Sequence, residues 1–216
     1  MTVRAPAALG APCLRRCEMT PANFPGMFVS ESEGWNEINR IHPGVLKMLL
    51  AVVLPMSLLP PLMYAYASMF HPGQIFPAME PAPGGGELLL VGGGFFLAEI
   101  AMVFLMADLI RQIAASHETS VGFENTFALA AIAPAPLWLA SLMMFVPSVW
   151  LCSVTLAVAW VGSVALIRHG VRPLLHVADR DRARDIANSI TVAGVIGWTG
   201  LMLLMVLLVS AIVGWR

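Results

Sequence analysis

Two carboxylates stand where acid–base or ion chemistry would need them. Glu99 lies near the middle of an apolar stretch and Asp108 near its end. They are nine residues apart, about 180° round a helix of roughly 3.6 residues per turn, so they cannot work as a carboxylate pair. Asp108 reads as an interfacial residue near Arg111. A charge at bilayer depth costs a few kcal/mol, and such residues mostly face a bundle interior. Glu99 is therefore the first candidate for function. Its plainer reading is a protonated acid hydrogen-bonded to a neighbouring helix.

The other reactive side chains form no catalytic pattern. His117-Glu118 is followed by Thr-Ser-Val and lacks the second histidine of a zinc protease motif. His169 and His176 lie among five arginines that would repel a cation. Cys13, Cys17 and Cys152 make no disulfide or metal framework, and Cys152 falls inside an apolar stretch, where it reads as a small apolar side chain. Gly84-Gly85-Gly86 and Gly92-Gly93-Gly94 have no phosphate-binding lysine, and no nucleophile elbow occurs. The chain reads as non-enzymatic, with no cofactor, metal or catalytic residue. No basic stripe with interleaved aromatics suggests nucleic acid.

The elements that would position Glu99 are membrane spans. Residues 127–167 run 41 positions without a charged side chain. A spanning helix needs about 20 apolar residues, so this run holds two, with Pro147-Ser148 as the turn. Hydrophobic residues make up 58% of the 216-residue chain and charged residues 12%, against roughly 25% charged in a soluble domain. Lipid is the solvent this composition requires. The expected fold is all-α, a polytopic integral membrane protein with a bundle of five transmembrane helices at about 46–70, 88–110, 127–146, 149–167 and 190–214.

Prolines interrupt two of these spans. Pro55, Pro60 and Pro61 should kink or break the first, because proline lacks a backbone donor and clashes with the preceding turn. Pro134 and Pro136 do the same early in the third, just before Trp138. Interrupted helices often build transport sites, which makes Pro134, Pro136 and Pro147 candidate functional positions. Tyr64 and Tyr66 suit an interfacial belt. Ser189, Ala193 and Gly197 are four apart and offer a small-residue face for helix packing. The stretches 71–87, 111–125 and 168–185 read as polar links.

Residues 1–45 form an N-terminal segment ahead of the five-span domain, 46–214. Met1–Met19 lacks an apolar core and is not a secretory signal; Met19 opens a more ordinary start. Trp35 and Ile38, three apart, share one face of a short amphipathic helix. Such a helix before a span usually lies on the membrane surface; Trp35 is also a candidate for partner contact.

Orientation follows from the 12 Lys and Arg. The N-terminal segment with Lys47 holds five, the second link one and the fourth link five. The other side holds Arg216 alone. By the positive-inside rule, the N-terminus is cytoplasmic and the C-terminus outside.

Three stretches carry a resemblance. They are Trp35-Asn36-Glu37-Ile38-Asn39-Arg40, the interrupted LLAVVLPMSLLPPLM, and ALAAIAPAPLWLASLMMFVPSVWLC with its exit Gly170-Val171-Arg172-Pro173-Leu174-Leu175. In these, over roughly residues 30 to 214, the chain resembles the Ypt-interacting protein (Yip-one) domain family in its bacterial inner-membrane branch. The resemblance implies a five-helix bundle with a cytoplasmic N-terminus. Eukaryotic relatives are membrane adaptors that bind small GTPases and each other in vesicle traffic; the bacterial branch implies no activity. This chain lacks their long acidic or Pro-rich N-terminal region, so GTPase binding is not carried over.

The expected role is a membrane scaffold or adaptor in the bacterial cytoplasmic (inner) membrane. Its partners would be lipids and another membrane protein or a second copy of itself. The alternative is a small transporter or channel for a proton, cation or lipid that uses Glu99.

Overall fold

The computed structural model describes residues 34, 35, 38, 40, 43–74 and 83–214. Among these there are helices and no strands. Five helical segments are long and apolar enough to cross a bilayer: α1 (Val45–Phe70), α2 (Gly85–Ser116), α3 (Phe123–Phe145), α4 (Val149–Leu175) and α5 (Arg180–Ile212). The protein is a multi-pass membrane protein.

Proline shapes α1. The Leu54 N–H donates to the Leu49 carbonyl, an i→i−5 bond that closes a π-turn over Leu49–Val53. Pro55 follows with no N–H to give, so the wide turn sits beside the lost α-helical bond. The helix breaks again at Leu58, and Pro60 and Pro61 open the next segment, Leu59–Phe70, where missing donors cost nothing. α3 is divided by the same means. Its first part ends at Ile132, and Pro134 caps a short second part, Ala135–Ala140. A 3-10 turn, Ser141–Phe145, completes it.

The unbroken helices have defined ends. The Gly84 N–H donates to Glu87 Oε2 at 2.9 Å ahead of α2. At its other end the Ser116 hydroxyl donates to the Ile113 carbonyl at 2.8 Å. Ser148 Oγ accepts the Leu151 N–H at 3.4 Å and starts α4 directly after the Pro147 turn. Asp179 Oδ1 accepts the Asp181 N–H at 3.1 Å and starts α5, as expected of an aspartate N-cap.

Two segments depart from their expected form. The stretch 168–185 is not one polar link: α4 continues through it to Leu175, and α5 already begins at Arg180. Val171, Leu174 and Leu175 are fully buried, and this apolar face outweighs the surrounding arginines. Pro173 is carried in the final turn, and His176 ends the helix in a left-handed conformation, φ 55°. The second departure is Trp35, expected on the membrane surface. It has no solvent exposure, Ile38 is buried with it, and both belong to the main core. The Ile38 N–H donates to the Gly34 carbonyl at 3.1 Å, one helical turn.

α2 is the central helix, packed against α1, α3 and α5; α4 closes the bundle between α3 and α5. The two ends of the bundle differ. The main core joins Trp35, the start of α1, the end of α2, the start of α3, the end of α4 and the start of α5. Gly170 makes this possible: a Cβ there would meet Leu129 Cδ1 at 2.8 Å and Trp35 Cη2 at 2.8 Å. At the other end a smaller cluster joins Tyr64, Leu88, Val91 and Val213. Between the two lies a cavity.

Candidate functional site

Glu99 is carried by the middle of α2 and is 95% buried, with a relative exposure of 5%. It is held there by one contact from another helix. Trp138 Nε1–H on α3 donates to Glu99 Oε1 at 3.2 Å. The break at Pro134 sets this up, because Trp138 lies one turn into the segment that Pro134 opens and bonds back to its carbonyl at 3.1 Å. The second carboxyl oxygen, Oε2, is buried and has no hydrogen-bond partner.

Glu99 lines a partly open cavity of about 450 Å³. Each of the five helices contributes to its wall, α1 through Pro60 and Tyr64. The wall is almost wholly apolar. Its one charged residue is Glu99, and no Lys, Arg or His lines it. Aromatic rings face it from several sides; Trp160 of α4 and Trp198 of α5 meet edge to face, ring centroids 5.4 Å apart. Ser163 on α4 also lines the cavity, 96% buried, and its hydroxyl is a second buried polar atom without a partner. In volume and apolar character the cavity falls in the range of small-molecule sites, roughly 300–1,000 Å³.

Both unpartnered atoms, Glu99 Oε2 and Ser163 Oγ, are closed to solvent on residues that line the cavity, so a small turn of either side chain would let the site pair with one positive charge or exchange hydrogen bonds. It holds no second carboxylate and no histidine. Among the described residues no cluster of three His, Cys, Asp or Glu side chains could hold a metal.

The other candidate residues lie elsewhere, save one. Pro134 lines the cavity. Pro136 sits in the first turn of the segment that carries Trp138. Pro147 is exposed in the α3–α4 turn. Asp108 is at the surface of α2, where it accepts hydrogen bonds from Arg111 at 2.6 Å and Gln112 at 2.7 Å. Trp35 lies in the packed core at the opposite end from the α3–α4 turn. Sequence reasoning did not pair Trp138 with Glu99 and did not single out Ser163. A tryptophan placed just after a proline break inside a span was the available signal for the first. A serine among apolar residues at helical spacing gives no signal.

No curated protein and no solved structure matches the chain. The family model for the Yip1 domain matches residues 26–201, well over half of the sequence. That span takes in the Trp35 segment, the interrupted α1, the proline-broken α3, Glu99 and all of the cavity wall except Met202 and Met205. The chain belongs to the Yip1 domain family.

Proposed function

We propose that this protein is a non-enzymatic scaffold or adaptor of the bacterial cytoplasmic membrane. It holds a second membrane protein, or a second copy of itself, in the plane of the bilayer. The observation that carries this reading is the state of α5. None of the residues in its most apolar 18-residue stretch is buried within the bundle. Large side chains such as Ile196, Leu203 and Leu207 are exposed along it. The outer face of this span, left unpacked by the bundle, is available for lateral contact.

The N-terminal segment, residues 1–45, lies in the cytoplasm in this reading, and the five-span domain follows at 46–214. Eleven of the 12 Lys and Arg then face the cytoplasm, which agrees with the positive-inside rule. Extraction in native membrane patches, with co-purified proteins identified by mass spectrometry, tests the role. A reproducible membrane-protein partner or a dimer supports it. Repeated recovery of a lone monomer counts against it.

A second reading is favoured by the Glu99 cavity. A roomy, partly open cleft inside hydrocarbon, with one unpartnered carboxyl oxygen, suits a protein that binds or passes a small solute or lipid. Lipids and small molecules retained by wild type and lost when the cleft is filled would support this reading.

A further inference from the structure

We propose that the Glu99 cavity is a binding site for a lipophilic organic cation: an apolar, preferably aromatic body carrying one positive charge, as in a hydrophobic amine or a quaternary ammonium or phosphonium ion. The proposal rests on the second reading above and names the class of ligand that the cleft takes.

Three observations point to this class. The cavity carries a single carboxyl group and no basic side chain. Its Oε2 is buried without a partner, while Oε1 is already held by Trp138. None of the lining residues offers this carboxyl a counter-charge, so in the empty cleft it is favoured as the neutral acid, and a cation entering beside it would favour the ionised form by pairing with it. Aromatic rings from α2, α3, α4 and α5 (Phe95, Trp138, Trp160 and Trp198) line the same space. Aromatic faces attract cations, most strongly those whose charge is spread and weakly hydrated. Most of the remaining wall is aliphatic or thioether, and the hydroxyls of Ser141, Ser153 and Thr191 already donate to carbonyls of their own helices, which suits an apolar body and gives a hydrated metal ion little to bind. Ser163 adds one hydroxyl that can accept an N–H from an amine.

A neutral lipid would fill the volume equally well but would not use the lone charge. An anion would meet Glu99 with no compensating base.

The test uses the full chain in nanodiscs of uncharged lipid. It is titrated with tetraphenylphosphonium and, separately, with tetraphenylborate, ions of similar shape and opposite charge. Calorimetry is expected to show saturable one-to-one binding of the cation and none of the anion. Glu99→Gln keeps an acceptor for Trp138 and is expected to weaken cation binding roughly tenfold or more, the loss of one desolvated charge pair. Gly194→Leu provides an independent arm. Gly194 lines the cavity, and a Cβ there meets nothing within 4 Å, so the larger side chain enters open space. It is expected to abolish binding while leaving the thermal melt unchanged. Equal binding of the two ions, or unchanged cation binding in Glu99→Gln, overturns the proposal. Absence of cation binding by wild type overturns it as well. In that event, native lipids retained by wild type and lost in Gly194→Leu would leave the cleft as a lipid site, and their retention in both would remove the ligand-binding reading altogether.

Discussion

Trp138 and Glu99 lie 39 residues apart in the chain and are joined across α3 and α2 by one buried hydrogen bond of 3.2 Å. Trp138→Phe keeps most of the ring and removes the donor, leaving both carboxyl oxygens without a partner. Interhelical hydrogen bonds in membranes are worth about 0.6 to 2 kcal/mol. A stability loss of about that size is expected, measured by reversible unfolding in mixed micelles. Glu99→Gln retains an acceptor and is expected to lose less. Equal losses in the two variants would show that the bond contributes little.

Asp108 provides the contrast on the same helix. Its partner Arg111 is half exposed, and the pair is a surface i,i+3 contact. Such pairs contribute up to about 0.5 kcal/mol. Asp108→Asn is expected to leave stability and cation binding within that margin, in the same assays. A large effect on binding would place Asp108 in the site, against its position at the helix surface.

Two glycines predict unequal responses to a methyl group. At Gly197 a Cβ would approach Met102 Sδ at 3.2 Å, the flexible part of a long side chain that can move away. At Gly170 it would strike Leu129 Cδ1 and the Trp35 ring, both at 2.8 Å, within a packed core. Gly170→Ala is expected to cost about 1–3 kcal/mol by overpacking, and Gly197→Ala less than about 1 kcal/mol. Adding Trp35→Ala to Gly170→Ala should give a combined cost below the sum, since contacting residues couple. Additive costs would show that Trp35 does not rest on Gly170.

Orientation is testable with single cysteines in a background where Cys13, Cys17 and Cys152 are serine. Ser120, between α2 and α3, and Pro147, between α3 and α4, are both exposed. In intact cells a membrane-impermeant maleimide is expected to label Pro147→Cys and not Ser120→Cys. In inside-out vesicles the pattern should reverse. Labelling of Ser120→Cys in intact cells would invert the proposed topology.

The five spans were legible because lipid leaves little freedom: long charge-free runs must be helices, and the composition admits no other solvent. The breaks in α1 and α3 were legible for a similar reason, since Pro55, Pro60 and Pro134 act through their own covalent geometry. The extension of α4 was not. Arg168, His169 and Arg172 gave the stretch a polar reading, while Ile167, Val171, Leu174 and Leu175, at helical spacing, carried the opposite signal and won by burial. The depth of Trp35 was hidden too. A helix lying on lipid and one docked in its own bundle show the same Trp35/Ile38 pattern, and only the gap left by Gly170 tells them apart. Glu99 was found by its depth alone. Its partner and cavity depend on which helices are neighbours, and spacing within one span does not encode that.

The length of α5 has a mechanical consequence. Its 33 residues extend about 50 Å at roughly 1.5 Å per residue, while the hydrocarbon layer is about 30 Å thick. With the apolar part seated in lipid, the charged end from Arg180 onward reaches past the hydrocarbon, and Ala183, Ile186, Ala187 and Ile190 fix that end in the main core. Gly197, about halfway along the helix, lies beside the Met102 side chain of α2. A sideways load on the aqueous end is therefore carried into the core shared with α2, α3 and α4, while the far half, which has no fully buried residue in its most apolar stretch, is the part free to shift, and Leu201, Met202 and Met205 on the cavity wall would move with it.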